Sequence, residues 1–248
     1  MVNASPDLRQ QIEARPILQP RRGLRDSPIA AVILTGDEVD AVAGLLHLRE
    51  SQRFTLFATG RVHEALQANP IFNALNPAFV HRQSVHLDRP FDLPGGIVAE
   101  LFAVPGKVAL YLEREGNDLA GDVEDTVGLR LSSRTGAACY FIPGCEHLPA
   151  GIAERLRGSD LVFFDGTLWT NDEMIREGSG TKTGQRMGHM SVADPRGTIE
   201  SFRDLDVRRK VFIHINNSNP ILLDDSPERA IAARAGWEVA YDGMEIVL

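Results

Sequence analysis

The sequence is poor in cysteine and has no long apolar run. Its two cysteines, Cys139 and Cys145, among 248 residues are too few for a disulfide framework, so we expect a reducing, cytoplasmic compartment. No apolar run approaches the roughly 20 residues that cross a bilayer. The polar N-terminus also lacks the apolar segment of a signal peptide. These absences predict a soluble protein with no membrane partner.

Positive charge is also in short supply. The chain has 26 Lys and Arg residues against 34 Asp and Glu residues, a formal net charge of −8. This balance argues against a general nucleic-acid binder, because such proteins neutralise phosphates with basic residues. Hydrophobic residues make up 43% of the chain, which is ample for a core, and the length fits one domain over residues 1–248.

Short apolar runs alternate with amphipathic segments along the whole chain. Some predicted strands are separated by turns and others by helices, which predicts an α+β fold with helices on the outer faces of the sheets. The predicted strands are Ala30–Leu34, Thr55–Ala58, Val85–Leu87, Ile97–Val104, Lys107–Leu112, Val127–Ser132, Ala138–Ile142, Leu161–Asp165, Lys210–Ile215 and Glu245–Leu248. The predicted helices are Pro6–Ala14, Val42–Glu50, Gly60–Ala68, Ala150–Arg157, Thr198–Leu205 and Ser226–Ala235.

An acidic turn follows the first predicted strand, in 34-LTGDEVDAVAGLL-46. The carboxylates of Asp37, Glu38 and Asp40 stand where the strand stops, the usual place for a site in layered α/β structures. Carboxylates there suit Mg²⁺, Mn²⁺ or iron. The alternative is helix capping, because acids near a helix N-terminus are stabilised by its dipole. The residues alone leave both interpretations open.

A second carboxylate ends an apolar strand in 161-LVFFDGTLW-169. Burying Asp165 is costly unless its charge is paired, hydrogen-bonded or metal-bound. The alternative is a turn aspartate that accepts a hydrogen bond from its own backbone.

Two histidines lie in distinctive surroundings. His189 occurs in a glycine-rich loop, GQRMGHMS, and His214 lies in an apolar strand that runs into an amide-rich loop. A strand histidine followed by amides fits a metal ligand with polar support. The alternatives are a surface histidine for His189 and a satisfied core histidine for His214.

Together these residues form a ligand set of two carboxylates and two histidines, Asp40, Asp165, His189 and His214. Two imidazoles and a carboxylate with open positions are the ligands of non-haem iron(II) oxygenases. Cys145 has no activating neighbour in the sequence, so we expect a buried, inert thiol.

The order of motifs resembles the metallo-β-lactamase superfamily and, within it, the coenzyme PQQ (pyrroloquinoline quinone) synthesis protein B family. The resemblance covers essentially the whole chain, and its most specific pieces are VNASPDLR at 2–9, DLVFFDGTLWTNDEM at 160–174, TGQRMGHM at 183–190 and FIHINNSNPIL at 212–222. It implies a metallo-β-lactamase fold, an αββα four-layer sandwich.

The superfamily signature H-x-H-x-D-H-x-x-G-L is only partly kept. Asp40, Gly44 and Leu45 match it, whereas its three histidine positions hold Gly36, Glu38 and Ala41. The family also normally begins with a segment whose closely spaced cysteines bind a structural zinc. This chain starts after that segment, so we expect that zinc site to be absent and the fold to be incomplete at its N-terminus.

The resemblance implies an enzyme of PQQ biosynthesis, which hydroxylates the tyrosine ring of a cross-linked Glu–Tyr precursor with iron(II), or else zinc, as the metal. The implied catalytic and metal-binding residues are Asp40, Asp165, His189 and His214. Asp37 and Glu38 are expected to support these ligands. Asn216, Asn217 and Arg186 are expected to contact the substrate.

Two other functions stay open at this point. One is a carrier that transports PQQ or its precursor towards the periplasm without catalysis. The other is a zinc-dependent hydrolase, which the missing histidines disfavour because two-metal hydrolysis shares a water between the metals. The expected partners are the small-molecule precursor and other PQQ-biosynthesis proteins, and the family resemblance leaves a homodimer open.

Overall fold

The structure is a computed structural model that describes residues 1–21, 23, 26–107, 109 and 122–248. The chain divides into two units. Unit 1 comprises Met1–Phe102 and Val108–Val127, and unit 2 comprises Ala103–Lys107 and Gly128–Leu248. In the described part of the chain, no helix is both long and apolar enough to cross a membrane.

Unit 1 contains a parallel three-stranded sheet in the order β1-β2-β3. Its strands are Ala31–Ile33 (β1), Phe54–Ala58 (β2) and Val80–Ser84 (β3). Parallel neighbours need crossover connections, and this unit supplies α1 (Leu8–Ala14), α2 (Val39–Val42) and α3 (Gly60–Ala68), with 3₁₀ helices at Pro16–Leu18, Ala43–Leu48 and Pro70–Ala74. Apolar side chains of strands and helices, among them Val32, Leu56 and Leu66, share one buried cluster.

Two further features complete the strands of unit 1. Val2 forms an isolated parallel bridge with Ile33, so the N-terminal residues extend the sheet beside β1. Phe91–Leu93 (β4) and Ile97–Ala103 (β5) form an antiparallel hairpin.

Unit 2 is built on strands in the order β10-β9-β8-β7-β6. They are Val127–Ser133 (β6), Ala138–Ile142 (β7), Leu161–Asp165 (β8), Lys210–Ile213 (β9) and Trp237–Val239 (β10). Strands β7 to β10 run parallel to one another, and the segments between them carry α4 (Ala150–Leu156), α5 (Glu173–Arg176), α6 (Thr198–Ser201) and α7 (Pro227–Arg234), with 3₁₀ helices at Gln185–Met187 and Pro220–Leu222. The carboxyl ends of β7, β8 and β9 therefore share one edge of the sheet, the usual location of a site.

Most predicted elements agree with the structure to within a few residues, but two predicted strands are wrong. Val85–Leu87 is not a strand, although Val85 is buried; the strand is Val80–Ser84, whose mostly exposed side chains hide it from a search for apolar runs. Glu245–Leu248 is not a strand either, and Val247 is 95% exposed. The short strands β4 and β10 were not predicted.

Further differences concern the middle of the chain and three helices: the short α5 (Glu173–Arg176) was not predicted, and the predicted helix Thr198–Leu205 ends at Ser201. The predicted strand Lys107–Leu112 falls mostly on residues outside the described ones. The predicted helix Val42–Glu50 begins earlier, at Val39, and continues as the 3₁₀ helix Ala43–Leu48.

Candidate metal centre

Strand β8 ends in a completely buried carboxylate. Asp165 is 0% exposed. Its Oδ1 accepts hydrogen bonds from the amide and the hydroxyl of Thr167 at 3.0 and 2.6 Å. Its Oδ2 accepts one from the amide of Cys145 at 3.0 Å and lies 2.8 Å from Nδ1 of His189. Hydrogen bonds within the protein thus fill the acceptor positions of the carboxylate and offset the cost of burying its charge.

The two interpretations of Asp165 that the sequence left open are both present in the structure. The bond from the Thr167 amide to Oδ1 is the local turn bond of an aspartate to its own backbone. The contact between Oδ2 and His189 joins the same carboxylate to a residue 24 positions away. The carboxylate of Asp165 therefore both stabilises the local turn and belongs to the candidate site.

His189 reaches Asp165 from a loop that turns at a glycine. The 3₁₀ helix Gln185–Met187 ends at Gly188, whose φ of 86° lies in the left-handed region. A Cβ at Gly188 would also lie 3.1 Å from Cγ of Lys107, so both backbone angle and space favour glycine. Beyond the turn, the amide of Met190 donates to the carbonyl of Cys145 at 2.7 Å and fixes the loop.

His214 follows the last residue of β9 in an unusual backbone conformation. Its φ of 52° is left-handed, which costs a non-glycine residue about 1–3 kcal/mol and is concentrated at functional sites. The side chain is exposed, and its ring stacks on that of His189, with centroids 5.3 Å apart and planes inclined by 19°.

Backbone contacts hold the loop after β9 against the loop after β8. Nδ2 of Asn219 donates to the carbonyl of Gly166 at 2.8 Å, and the amide of Asn216 donates to the carbonyl of Thr167 at 3.1 Å. Gly166 makes this close approach possible, because a Cβ there would lie 2.9 Å from Cβ of Phe212. The position of His214 is thus set by the loop that carries Asp165.

A second buried carboxylate, Glu173, ties the same two loops together. Glu173 is 1% exposed. Its Oε2 accepts a hydrogen bond from the amide of Trp169 at 2.6 Å, and its Oε1 accepts one from the hydroxyl of Ser218. Glu173 was not predicted as a site residue, although it lies inside the DGTLWTNDEM motif.

Thr167 is the other site residue that the sequence analysis missed. Its Oγ1 lies 2.6 Å from Oδ1 of Asp165, 2.9 Å from Nδ1 of His214 and 3.1 Å from Nδ1 of His189. The signal in the sequence was its place in DGT, two residues after the buried Asp165. A single hydroxyl group therefore contacts the three side chains of the candidate site.

The structure brings together three of the four predicted ligands. Asp165, His189 and His214 each offer an atom that could bind a metal ion, and these atoms lie within 4.8 Å of one another. Asp40 lies in unit 1, exposed in the first turn of α2. Its role as a ligand stays a prediction.

The other acids of the turn after β1 have different surroundings. Asp37 is 3% exposed, whereas Glu38 is half-buried and is the N-cap residue of α2. The side chain of Glu38 makes no capping hydrogen bond, so this residue does not cap the helix through its carboxylate. Their support of metal ligands stays a prediction.

The three predicted substrate contacts lie in the two loops of the site. Nδ2 of Asn216 lies 2.9 Å from Oγ of Ser218 and 3.0 Å from Sδ of Met174, so this amide group serves the loop itself. Asn217 and Arg186 are exposed. Substrate binding by these residues stays a prediction.

Cys145 contributes its backbone to the site. The thiol is completely buried and lies 2.9 Å from the carbonyl of His147. Burial, with a smaller effect of the Asp165 charge, raises the pKa of the Cys145 thiol far above its ordinary value. The predicted burial of the Cys145 thiol is confirmed, its lack of reactivity stays a prediction, and the contact with Asp165 comes from the Cys145 amide.

The donor set fits a divalent metal ion. Both imidazoles turn Nδ1 towards the Asp165–Thr167 pair, which leaves Nε2 of each ring as the atom able to bind a metal. Neutral imidazole is a ligand for zinc and iron alike. Asp165 is already hydrogen-bonded at both oxygens, so it fits best as the group that orients His189, the common arrangement around metal-binding histidines.

Comparison of the chain with known proteins finds a matching family model and related proteins. A model described as the Beta-lactamase superfamily domain matches residues 1–215. Coenzyme PQQ synthesis protein B of Gluconacetobacter diazotrophicus is 60% identical over 254 residues, which cover 99% of this chain and 82% of that protein. The protein of the same name from Xanthomonas oryzae pv. oryzae is 53% identical over 249 residues, covering 100% of this chain and 83% of that one.

Solved structures agree with these relatives. The structure of zinc-bound PqqB from Methylobacterium extorquens is 46% identical, with a TM-score of 0.96 over 100% of this chain and 82% of that chain. A diphosphatase of the PhnP family shares the fold alone, at 20% identity and a TM-score of 0.64 over 100% of this chain and 79% of that chain. The predicted metallo-β-lactamase fold is confirmed.

Proposed function

The chain belongs to the coenzyme PQQ synthesis protein B family of the β-lactamase superfamily, and we propose that it hydroxylates the tyrosine ring of the cross-linked Glu–Tyr precursor of PQQ with iron(II) and O₂. The role in PQQ biosynthesis comes from the family. The choice of reaction comes from the ligand set.

One observation carries the choice of reaction: Asp165, His189 and His214 offer two imidazoles and a carboxylate within 4.8 Å of one another. Two imidazoles and one carboxylate are the ligands of non-haem iron(II) oxygenases, which keep open positions for O₂ and substrate; here Asp165 orients His189, and the other carboxylate ligand predicted from the sequence is Asp40. Two-zinc hydrolysis needs more ligands than these three, and the histidine positions of the superfamily signature hold Gly36, Glu38 and Ala41.

Ferrous iron, when bound, supplies the redox chemistry that activates O₂, which zinc cannot supply because it has no accessible second oxidation state. The zinc in the Methylobacterium extorquens relative is compatible with this proposal, since imidazole ligands accept both metals. His189 and His214 would hold the metal through Nε2. Asp165 keeps His189 oriented.

The reaction requires more than the metal and O₂. Replacing a ring C–H by C–OH uses one oxygen atom of O₂; the other leaves as water, and the balance takes two electrons and two protons from an external reductant. The substrate carries several carboxylates, for which the exposed guanidinium of Arg186 is a suitable bidentate partner. Asn217, exposed in the loop after His214, would contact its amino-acid groups.

The test is anaerobic reconstitution of the chain with iron(II), followed by addition of O₂, ascorbate and a glutamate-linked tyrosine derivative. We expect O₂ consumption coupled to a product heavier by one oxygen atom for each hydroxylation. The matched controls are the zinc-loaded chain and His214→Ala loaded with iron in the same way. Coupled turnover by either control contradicts the proposal.

The same assay separates the two alternatives. A carrier binds the precursor without changing its mass, whether or not metal is present. A hydrolase, loaded with zinc, cleaves a generic phosphodiester without O₂. Either result, in place of hydroxylation, overturns the proposed reaction.

A further inference from the structure

The hydroxyl of Thr167 has one proton but more than one neighbouring hydrogen-bond acceptor. Its Oγ1 lies 2.6 Å from Oδ1 of Asp165, 2.9 Å from the carbonyl oxygen of His214 and 2.9 Å from Nδ1 of His214. A threonine hydroxyl donates one proton and accepts through two lone pairs. The carboxylate and the carbonyl can only accept, so one of them receives the proton.

The shortest contact identifies the acceptor. An O–H···O⁻ hydrogen bond has an oxygen–oxygen distance of about 2.5–2.7 Å and is roughly twice as strong as a neutral one, which matches the contact with Asp165 Oδ1. If the proton turned instead to the His214 carbonyl, it would still be unavailable to the imidazole. In either arrangement Oγ1 offers Nδ1 of His214 only a lone pair, so Nδ1 must carry the hydrogen.

His189 reaches the same tautomer by a different contact. Its Nδ1 lies 2.8 Å from Oδ2 of Asp165, and an ionised carboxylate can only accept. His189 therefore owes its Nδ1–H to Asp165, whereas His214 owes it to Thr167. His189 Nδ1 also lies 3.1 Å from Oγ1 of Thr167, but it keeps Asp165 as an acceptor when that hydroxyl is removed, so its tautomer serves as an internal control.

We propose that Thr167 is a positioning residue that fixes His214 in the Nδ1–H tautomer, so that its Nε2 lone pair is available to a divalent cation. The consequence for metal binding rests on the proposed function, but the tautomer itself does not. Removing the hydroxyl takes away this contact of Nδ1 of His214, and we expect the ring then to sample both tautomers. Only the Nδ1–H form offers Nε2 to a metal.

The test uses Thr167→Val, which keeps the shape and removes the hydroxyl, and Thr167→Ser, which keeps the hydroxyl. Imidazole ¹⁵N spectra of the metal-free chain at about pH 8, where an ordinary histidine is neutral, report the tautomer of each ring. We expect unprotonated Nε2 at both histidines in the wild type and in Thr167→Ser. In Thr167→Val, we expect the His214 signals to move to values averaged over both tautomers, while those of His189 still report the Nδ1–H tautomer held by Asp165.

Binding of zinc supplies the second measurement. We expect Thr167→Val to weaken binding roughly 10- to 100-fold, the usual cost of losing a group that orients a ligand, and Thr167→Ser to restore it. An unchanged His214 tautomer in Thr167→Val overturns the inference. If that variant does not fold, Thr167→Ala takes its place, and the His189 signals report whether the site is intact.

The outcomes separate this inference from the proposed function. If the wild type binds neither zinc nor iron but its His214 tautomer depends on the hydroxyl, the metal role fails and the tautomer assignment holds. If the wild type binds metal and Thr167→Val keeps both the tautomer and the affinity, Thr167 has no positioning role.

Discussion

The turn after β1 and the turn after β8 both place carboxylates directly behind a buried strand, yet their side chains have different neighbours. In the turn after β1, the amide of Thr35 donates to Oδ1 of Asn3 at 2.9 Å, and Gly36 forms an antiparallel bridge with Thr126. Asp40 is exposed there. In the turn after β8, Asp165 is fully buried, and each of its oxygens has two partners.

The difference shows that residues distant in sequence decide what a strand-end carboxylate does. His189 stands 24 residues after Asp165, and His214 stands 47 residues after Thr167. His214 arrives because the parallel strands β8 and β9 bring their carboxyl ends to one edge, whereas His189 arrives on a loop that the Met190 amide fixes to the Cys145 carbonyl. Within unit 1, the described residues include no comparable group of three possible metal ligands.

The largest effect is expected from removing a ligand at the turn after β8. His214→Ala takes away one of two imidazoles, and we expect affinity for zinc or iron(II) to fall by more than about 100-fold, above the range for a supporting residue. Competition with a chromophoric chelator measures it. His86→Ala, an exposed histidine in unit 1, is the control and should bind as the wild type does; equal losses in both variants would remove the distinction between the two regions.

The next effect concerns the carboxylates themselves. Asp165→Asn puts an amide NH₂ against a backbone N–H, of either Cys145 or Thr167, and we expect the free energy of unfolding to fall by about 1–3 kcal/mol. Urea titration measures it. Asp40→Asn, at an exposed position, should lower the free energy of unfolding by less than Asp165→Asn does.

The same pair of variants decides whether Asp40 belongs to the site. If Asp40 is a ligand, Asp40→Asn weakens metal binding while stability is kept. Unchanged metal affinity in Asp40→Asn excludes Asp40 as a ligand. A large loss of stability would show that the folding of the turn after β1 depends on this carboxylate.

A smaller effect is expected from Glu173→Gln. The amide can serve either the Trp169 amide or Ser218 as acceptor but not both as the carboxylate does, so we expect a loss of about 1 kcal/mol in unfolding free energy and weaker metal binding, through movement of His214. Glu177→Gln, exposed one turn further on, is the control. Thermal unfolding measures the stability, and metal titration measures the affinity. If Glu173→Gln changes neither quantity, the coupling of the two loops is contradicted.

The smallest effect is expected at Cys145. Burial raises the pKa of its thiol, so the reactive thiolate is scarce at pH 7–8 and the native chain should resist alkylation there, while urea-unfolded chain reacts. Because the contact with Asp165 comes from the Cys145 amide, Cys145→Ala should bind metal as the wild type does. Rapid labelling of native Cys145, followed by mass spectrometry, would contradict its burial.

The sequence predicted strands β6 to β9 well because they are largely buried apolar runs. Ala138–Ile142 and Leu161–Asp165 have the same bounds in prediction and structure. β3 escaped prediction because Val80–Ser84 is mostly polar, and its place depends on pairing with β2. A search for apolar runs finds strands whose side chains are buried. It misses a strand such as β3, whose side chains are mostly exposed and whose position depends on pairing with β2.

The candidate site was predictable only in part. Asp165, His189 and His214 stand out because their residue types bind metals and their positions are unusual for those types. Thr167 and Glu173 do not, because a threonine in a turn and a glutamate in a short helix are ordinary. Their roles come from partners such as His214 and Ser218, 47 and 45 residues away, and no local pattern in a single sequence reports such pairs.

The most direct test of the central claim is anomalous diffraction from crystals of the chain loaded anaerobically with iron(II) or with zinc. We predict one strong peak per chain at a bonding distance of about 2.1 Å from Nε2 of both His189 and His214. Asp165 should still be hydrogen-bonded to Nδ1 of His189. A metal bound elsewhere, or at Nδ1 of either ring, would contradict the account.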